Sequence, residues 1–480
     1  MTSTEADAGR QQAAPHPHPH RWRILTVTLI VGFMALLDVT IVNVAIPSMQ
    51  AGLDTTPQTV QWVVSGYALS FGLVLVAGGR LGDLHGRRIM LLIGLSAFIV
   101  SSAAVGLAPT AGWVVFARLV QGLAAGLLTP QSSGLIQQLF SGAERGVAFG
   151  YFGTTVAVAS ATGPILGGAL IALFGPDNGW RYIFGINVPI GLAAIVLVWL
   201  WVPKRSRTNR GSAAERHLDL AGAGLLGAAV LCVLLPTVEA QSGGGLLWLL
   251  ALGAPVFTAA FVLWERRLLR AGRAPLLDIE LLRLTPGYAS GIAVGTVYFT
   301  GFTGIFLVLS IFLQQGAGYP ALQAGLLLTP FALGAAVMSP IAGRLVSRLG
   351  RRITVIALGV MLTGVVALVL ALPDRPEALA WPWLVVPMLV AGLGSGAVIS
   401  PNQTLSLNEV PPQMGGAAGA ALQTGQRIGS ALGAAVLVTA YQLVLARSGN
   451  AALAAEIALG CSLVILTGAL LVAIWDVRRG

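Results

Sequence analysis

The sequence is poor in charged residues and in cysteine. Asp, Glu, Lys and Arg make up 10% of its 480 residues, against about 25% in soluble domains, whereas 56% of the residues are hydrophobic. The two cysteines, Cys232 and Cys461, lie in apolar segments without ligand spacing, so we expect neither a disulfide framework nor a metal site. This composition argues against a soluble domain and predicts an integral membrane protein.

Lysine and histidine are also scarce. The single lysine, Lys204, follows Pro203, so the Gly-Lys-Ser/Thr phosphate loop of an ATP-driven pump is absent. Three of the five histidines alternate with proline in the polar residues 1–23, which we expect to form a disordered tail. The few acids and histidines form no base–nucleophile or metal-binding constellation, and we expect neither an enzyme nor a bound cofactor.

Fourteen apolar segments follow the tail, and each is close to the ~20 residues that cross a bilayer as a helix. They run approximately over residues 24–46, 60–79, 89–107, 113–136, 146–172, 182–202, 218–239, 246–264, 288–313, 322–343, 353–372, 383–405, 416–445 and 454–475. The connections are short, with no room for a soluble domain. The chain is therefore predicted to be an all-α integral membrane protein with 14 transmembrane helices.

The basic residues lie almost entirely on one side of these spans. Of the 28 Lys and Arg residues, 23 lie on the side of the N-terminus, three on the other side (Arg181, Arg375 and Arg447) and two inside spans (Arg118 and Arg427). By the positive-inside rule, both termini are predicted to be cytoplasmic. The asymmetry accounts for the net charge of +10 without a nucleic-acid partner.

A ten-residue sequence occurs twice, at residues 79–88 after span 2 and at residues 343–352 after span 10, with six of ten positions identical. The even spacing of eight spans indicates parallel repeats. Two six-span halves account for six of these eight spans, which leaves two extra helices. We therefore predict two six-helix bundles, 24–202 and 288–477, separated by two inserted helices with basic flanks in 203–287.

A single acid, Asp38, lies in the middle of the first span. Such a residue costs roughly 2.5–3.5 kcal/mol on insertion scales and usually has a functional role. Arg118 in span 4 is a fixed positive charge, and at about 1.5 Å per residue both side chains fall at similar depth, so we expect them to pair. Burial favours the protonated acid, whereas a nearby arginine favours the carboxylate. With Gln121, one turn from Arg118, these residues are the predicted proton-coupling site; a static ion pair that fixes helix packing is the alternative.

The loop after span 2 carries five residues of interest: Gly79, Asp83, Gly86, Arg87 and Arg88. Glycines let helix ends approach closely because they lack a Cβ, and Asp83 can pair with basic groups or cap a neighbouring helix N-terminus. We predict that this loop is a gating latch, made in one conformation and broken in another. A simple positive-inside anchor is the alternative.

Several motifs resemble those of the major facilitator superfamily. Residues 79–88 are similar to its signature loop, residues 118–122 (Arg-Leu-Val-Gln-Gly) to its R-x-x-Q-G motif, and residues 159–168 to the g-x-x-x-G-P-x-x-G-G motif of its drug–proton antiporters. The sequences around Asp38 and at residues 180–189 resemble the fourteen-span multidrug subgroup. The resemblance covers residues 22–477.

The antiporter-like motif contributes Gly163, Pro164, Gly167 and Gly168, which allow a kink and tight helix contact. We interpret them as a bending seal between span 5 and the opposite half, with ordinary small-residue packing as the alternative. Two departures from the family pattern stand out. Ala159 replaces the first glycine of this motif, and Ser347 stands where the first loop has Asp83, so the second loop lacks its acid.

Candidate substrate-binding residues lie in both halves, because a central apolar pocket with a few polar groups suits lipophilic ligands. They are Asn43, Tyr298, Phe302, Asn402, Gln403, Gln423 and Arg427. No mid-span acid in the second half neutralises Arg427, which is left to pair with backbone carbonyls or with a negative or carbonyl group of a substrate. For the aromatic residues of span 9, packing against lipid or other helices is the alternative.

The resemblance implies a proton-coupled secondary transporter of the bacterial inner membrane that exports lipophilic drugs, antibiotics or related natural products by alternating access. We expect it to act as a monomer, with a small lipophilic substrate, protons and the lipid bilayer as its partners. The proton gradient would supply the energy. A proton-coupled importer on the same fold is the nearest alternative, and a non-transporting receptor or scaffold, which would not need the Asp38–Arg118 pair, is another.

Overall fold

A computed structural model describes residues 19–175, 177–204, 219–239, 245–273, 275–285, 287–372 and 382–479. These residues form sixteen α-helices: α1 (Arg21–Leu53), α2 (Pro57–His85), α3 (Arg87–Gly106), α4 (Ala111–Leu139), α5 (Gly142–Phe174), α6 (Gly179–Gly185), α7 (Asn187–Trp201), α8 (Leu220–Glu239), α9 (Gly253–Arg270), α10 (Glu280–Leu284), α11 (Tyr288–Ile311), α12 (Ala321–Leu349), α13 (Arg352–Leu370), α14 (Pro382–Ser406), α15 (Gly415–Ser448) and α16 (Ala451–Arg479). Residues 1–18 of the predicted tail and most of the basic loop after α7 lie outside the described residues.

Thirteen helical segments within the described residues are long and apolar enough to cross a membrane. The segment predicted at 218–239 is the helix α8, but its apolar part covers only Leu220–Pro236 and is shorter than the others. Most helices extend beyond the apolar segments; α1, predicted at 24–46, runs from Arg21 to Leu53. Hydropathy marks the part of a helix suited to hydrocarbon, whereas backbone hydrogen bonding continues into the polar region.

Two predicted spans consist of two helical pieces each. The span predicted at 182–202 comprises α6 and α7, which are separated at Ile186. The span predicted at 246–264 starts as a 3₁₀ helix, Gly245–Leu252, and continues as α9. Asn187 is the first residue of α7.

Two sets of helices bury separate apolar cores. Helices α11–α16 share one large cluster, and α1–α7 bury two others, one around Phe98 and one around Trp180. We call α1–α7 the N-terminal half and α11–α16 the C-terminal half. The packing of α5 along α12 and of α2 along α15 joins the two halves.

The segment between the halves packs against this joint. Phe261 of α9 and Leu276, both buried, share an apolar cluster with Val76 of α2 and Ala420 of α15. Helix α8 also contacts both α2 and α15. The inserted segment therefore contacts a helix from each half at one of the places where the halves meet.

The end of the bundle at which α1 begins is called the N-face below. Helices α2, α4, α7 and α14 end at the N-face, and α3, α5 and α15 begin there. The ion pair between Arg21 at the start of α1 and Glu144 at the start of α5, with a distance of 2.7 Å, marks this end.

Candidate functional site

Asp38 lies in the middle of α1 and is completely buried. Its Oδ2 is 2.5 Å from Nη1 of Arg118 in α4, and the Arg118 side chain is 1% exposed. The two residues are 80 positions apart in the chain. The structure therefore contains the ion pair that was expected from the similar depth of the two residues in their spans.

Gln121 hydrogen-bonds to both members of this pair. Its Nε2 donates to Asp38 Oδ1 at 3.0 Å, and its Oε1 accepts a hydrogen bond from Arg118 Nη1 at 3.0 Å. Residues three apart on a helix are neighbours on its surface, so Gln121 and Arg118 reach the same carboxylate from one face of α4. The structure thus brings together the three residues predicted for the proton-coupling site.

Asn187 completes the set around Asp38 and was not among the predicted site residues. Its Nδ2 donates to Asp38 Oδ1 and to Ser102 Oγ, both at 3.0 Å, and the residue is 1% exposed. The break at Ile186 places Asn187 at the first position of α7. The available signal was its position within residues 180–189, which resemble the multidrug subgroup and contain this one amide side chain.

Arg118 has partners that do not depend on the charge of Asp38. Its Nε donates to the Val63 carbonyl oxygen at 3.0 Å, and its Cζ lies 4.2 Å from the ring centroid of Tyr67 and 5.5 Å from that of Phe184. An arginine over an aromatic face is stabilised by the ring quadrupole. Arg118 therefore keeps a carbonyl and two rings as partners when Asp38 is neutral.

The surroundings of Asp38 provide partners for both of its carboxylate oxygens. Oδ2 faces Arg118, and Oδ1 accepts hydrogen bonds from Gln121 and Asn187. A buried charge needs such partners, and an acid inside a membrane span is a candidate for a functional site.

A second site, the predicted latch, joins the halves at the N-face. Asp83 of α2 accepts hydrogen bonds from the backbone amides of Gly416 at 3.2 Å and Ala417 at 2.9 Å, at the start of α15, where backbone amides have no partner within the helix. Arg87 Nη2 lies 2.9 Å from Asp83 Oδ1 and donates to the Pro412 carbonyl oxygen at 3.0 Å. The Asp83 side chain is 2% exposed. The latch is therefore a helix cap reinforced by an ion pair.

Gly79 of the latch lies where the two halves approach each other too closely for a side chain. A Cβ at Gly79 would meet the carbonyl oxygen of Gly416. Gly86 has a φ of 98° between α2 and α3, a conformation that favours glycine. Arg88 bonds within its own half instead, donating from Nη2 to the Trp199 carbonyl oxygen at 2.7 Å.

Further polar contacts close the N-face. Gln137 Nε2 of α4 donates to the carbonyl oxygens of Leu407 at 2.9 Å and Val410 at 2.7 Å. The Arg145 side chain at the start of α5 donates to the side chain of Asn408. These bonds join the N-terminal half to the segment between α14 and α15. In this structure the halves are therefore held together at the N-face.

The second copy of the repeated sequence uses an acid from elsewhere in the chain. Ser347, at the position of Asp83, donates to the Arg344 carbonyl oxygen of its own helix at 3.0 Å. Arg351 instead forms an ion pair with Asp476 of α16, which also accepts a hydrogen bond from Ser290. The second loop lacks an acid of its own, as the sequence indicates. Asp476 of α16 supplies the acid instead and connects α16 to the start of α13 and to α11, all within the C-terminal half.

The glycines of the antiporter-like motif face α1. A Cβ at Gly163 would meet Thr40 Oγ1 and the Ile41 backbone nitrogen, and a Cβ at Gly167 would meet Ile41. These two glycines pack within their own half, which corresponds to the small-residue packing alternative, and the seal against the opposite half stays a prediction. They bring α5 against α1 only two and three residues beyond Asp38.

Pro164 lies between these glycines and does face the opposite half. Its Cβ is 3.6 Å from the position that a Cβ at Gly325 of α12 would occupy. A proline inside a helix removes one backbone hydrogen bond and favours a kink. Gly168 has open space where its Cβ would lie. The contact with the opposite half thus involves Pro164.

The seven candidate substrate-binding residues are dispersed. Asn43 is exposed on α1. Tyr298 is 1% exposed, its hydroxyl lies 2.7 Å from Ser395 Oγ, and its ring stacks on Phe302 with centroids 5.3 Å apart. Tyr298 belongs to the core of the C-terminal half and the partly buried Phe302 packs against it, which corresponds to the packing alternative.

The polar candidates of α14 and α15 lie at different depths. Asn402 and Gln403 are buried near the N-face end of α14. Gln423 Nε2 donates across the interface to Ser133 Oγ of α4 at 2.7 Å. Arg427, one turn further along α15, also faces α2 of the N-terminal half, where its guanidinium lies over an aromatic ring.

The described part of the chain contains no group of three or more His, Cys, Asp and Glu residues that could hold a metal ion. The histidines of the predicted tail, other than His20, lie outside that part. Cys232 and Cys461 are free thiols.

Two packed helical halves, with a buried ion pair inside the membrane helices of one half, are typical of secondary membrane transporters. Residues 28–434 match the model of the Major Facilitator Superfamily, and the chain belongs to this family. It is 36% identical over 436 residues to the "Probable actinorhodin transporter" of Streptomyces coelicolor, covering 89% of this chain and 74% of that protein. It is 34% identical over 425 residues to the puromycin resistance protein pur8 of Streptomyces alboniger, covering 87% of this chain and 81% of that protein.

A solved structure has the same fold. The crystal structure of the human organic anion transporter MFSD10 superposes with a TM-score of 0.68 over 95% of this chain and 100% of that chain, at 14% sequence identity. At this level of identity the likeness bears on the fold alone.

Proposed function

We propose that the protein is a proton-coupled secondary transporter that exports lipophilic drugs, antibiotics or related natural products. The buried Asp38, held by Arg118, Gln121 and Asn187, is the observation that carries the proposal. An acid in this position is costly in a membrane and is useful when it exchanges a proton. The relatives named as antibiotic transporters or resistance proteins support export.

The proposed arrangement in the membrane follows from the charge distribution. The N-face carries most of the basic residues, so it is assigned to the cytoplasm, together with both termini. We assign helix α8 as a further, short span, which brings the number of spans to fourteen. Helices α8 and α9 then form the insert between two six-helix bundles. The chain acts as a monomer in the bacterial inner membrane.

In the proposed cycle the present closed N-face is the outward-facing state. A proton from outside neutralises Asp38. Arg118 then keeps its existing contacts with the Val63 carbonyl oxygen and the Tyr67 ring. Protonation removes the charge pairing that ties α1 to α4. The Asp83 cap at the N-face then opens, substrate enters from the cytoplasm or inner leaflet, and the proton leaves inward. One charge moving through the potential supplies about 2.3 kcal/mol per 100 mV.

Transport into inside-out vesicles tests the proposal. With the lumen acidic, vesicles containing the protein are expected to accumulate at least one member of a panel of lipophilic dyes and antibiotics, puromycin included, and to lose it when an ionophore collapses the gradient. Vesicles without the protein are the control. Failure of every compound to accumulate in a gradient-dependent way would contradict export, and proton-driven uptake into right-side-out vesicles would establish the importer instead.

A further inference from the structure

Arg427 lies at the interface of the two halves, near the middle of the membrane. It is twelve residues from the start of α15, or about 18 Å along the helix, which is near the midplane of a hydrocarbon core about 30 Å thick. Its Cζ lies 4.5 Å from the ring centroid of Phe71 in α2. The side chain is half-buried at this interface.

The charge of Arg427 is not compensated by the part of the chain that the structure describes. Arg427 makes no hydrogen bond or ion pair there; it lies over the Phe71 ring and has Tyr67 as an electrostatic neighbour. The neighbours on its helix face are engaged elsewhere, because Gln423 bonds to Ser133 and Ser430 accepts a hydrogen bond from Thr303. The guanidinium therefore has its N–H donors available.

The acids of the described membrane helices do not neutralise Arg427. Asp38 is occupied by Arg118 at 2.5 Å. The other acids lie near helix ends, as Asp83, Glu144 and Asp476 do. With the Asp38–Arg118 pair neutral overall, the interface between the halves carries the unbalanced positive charge of Arg427.

Aromatic rings extend from Arg427 towards the proton site. Phe71 stacks on Tyr67 with centroids 6.0 Å apart and an interplanar angle of 18°, and Arg118 lies 4.2 Å over the Tyr67 ring. The Arg427 guanidinium lies over the Phe71 ring. An aromatic ring beside the donor fork of an arginine suits a flat ligand that bears an acid.

We propose that Arg427 binds the carboxylate or ionised phenol of a planar aromatic acid and so selects this class of substrate. An arginine fork matches a carboxylate through two parallel, charge-assisted hydrogen bonds. The ring system of the substrate lies along the wall that contains Phe71. This inference rests on the proposed transport function and adds the charge class of the substrate to it. A monoanion neutralises the unbalanced charge, whereas a cation meets repulsion.

Three anthracene probes with one shared ring system and different charges test the inference. They are anthracene-9-carboxylate, 9-anthracenemethanol and the ammonium form of 9-(aminomethyl)anthracene. Their fluorescence anisotropy is measured with the purified protein in lipid nanodiscs, after subtraction of empty nanodiscs. We expect the carboxylate to bind roughly tenfold more tightly than the alcohol, and the ammonium to bind most weakly, because a charge-assisted pair is replaced by repulsion.

Variants of α15 then assign the effect to one side chain. Arg427→Gln is expected to lose roughly tenfold or more of its affinity for the carboxylate while its affinity for the alcohol stays within twofold, which also shows that the variant is folded. Arg427→Lys keeps part of the preference. Arg447→Gln removes the same charge from the exposed end of the same helix and should bind all three probes as the parent does.

The outcomes separate this inference from the transport function. Equal binding of the carboxylate and the alcohol, a preference for the ammonium, or an unchanged carboxylate affinity in Arg427→Gln would each overturn the inference. Binding of none of the three probes would overturn it as well. None of these results affects gradient-dependent export of other compounds in vesicles, which tests the proposed function separately.

Discussion

Asn187 donates a hydrogen bond of 3.0 Å from its Nδ2 to Oδ1 of Asp38, across 149 positions of the chain. The same Oδ1 accepts from Gln121, while Oδ2 faces Arg118. Helices α4 and α7 therefore share the carboxylate of α1. Protonation of Asp38 would weaken contacts to both helices at once, which gives a local chemical event a direct influence on helix packing.

Replacing Asn187 tests whether this donor matters for coupling. Asn187→Leu keeps a similar volume but removes the bond to the Asp38 carboxylate, and a hydrogen bond to a charged group contributes roughly 1.5–3 kcal/mol. We expect proton-driven transport in vesicles to fall roughly 10- to 100-fold. Ser102→Ala removes the other partner of Asn187 and should cost less. Equal loss in both variants would indicate that Asn187 acts through packing alone.

Replacing Arg118 separates its charge from its geometry. Lysine keeps the positive charge, but it is a compact point charge that cannot reproduce the planar fork of arginine. Arg118 bonds simultaneously to Asp38, Gln121 and the Val63 carbonyl oxygen. We expect Arg118→Lys to reduce proton-driven transport at least tenfold, measured in the same vesicles. Activity close to that of the parent would show that charge alone suffices.

Weakening the latch should open the N-face. Asp83→Asn removes the negative charge of the side chain that accepts hydrogen bonds from the backbone amides of Gly416 and Ala417 and pairs with the Arg87 guanidinium. In a background without Cys232 and Cys461, a cysteine introduced by Ala418→Cys, at a position with 0% exposure, reports access by its rate of reaction with a maleimide.

We expect this rate to rise several-fold in Asp83→Asn, because the closed state loses charge-assisted bonds. Ser347→Ala is the matched control at the equivalent position of the second repeat, where the hydroxyl bonds to its own helix. A reaction rate that Asp83→Asn leaves unchanged would show that the cap does not hold the N-face closed.

The glycine contact between α5 and α1 makes another prediction. A Cβ at Gly163 would meet Thr40 and the backbone of α1, and overpacking of this kind costs about 1–3 kcal/mol. We expect Gly163→Ala to lower the melting temperature in detergent and to slow transport. Gly168→Ala, where a Cβ meets open space, is the paired control. If both variants behave alike, the contact is not tight in the membrane.

The sequence is sufficient to predict the helical membrane fold and part of the site. Asp38 and Arg118 could be paired because each is a rare charge inside an apolar span and their depths follow from the helical rise. Gln121 follows because residues three apart share a helix face. The latch could be predicted as a helix cap because Asp83 lies at a helix end beside arginines.

The remaining features depend on how helices rotate and pack. Asn187 donates to Asp38 from α7, and the rotation of α7 that turns this side chain towards α1 does not follow from hydropathy. Asp476 completes the second loop from 125 positions away, so no local pattern connects it to Arg351. The contact of Arg427 with Phe71 crosses the two halves and exists only in a structure that brings them together.

The most direct test of the central claim is substrate-triggered proton release from inside-out vesicles with an acidic lumen, read with a pH-sensitive dye. Asp38→Asn is compared with Asp54→Asn, which makes the same change at the exposed end of the same helix. We predict that an exported compound dissipates the gradient with the parent and with Asp54→Asn, and has no effect with Asp38→Asn. Unchanged proton release in Asp38→Asn would contradict the account, because the coupling proton would then bind elsewhere.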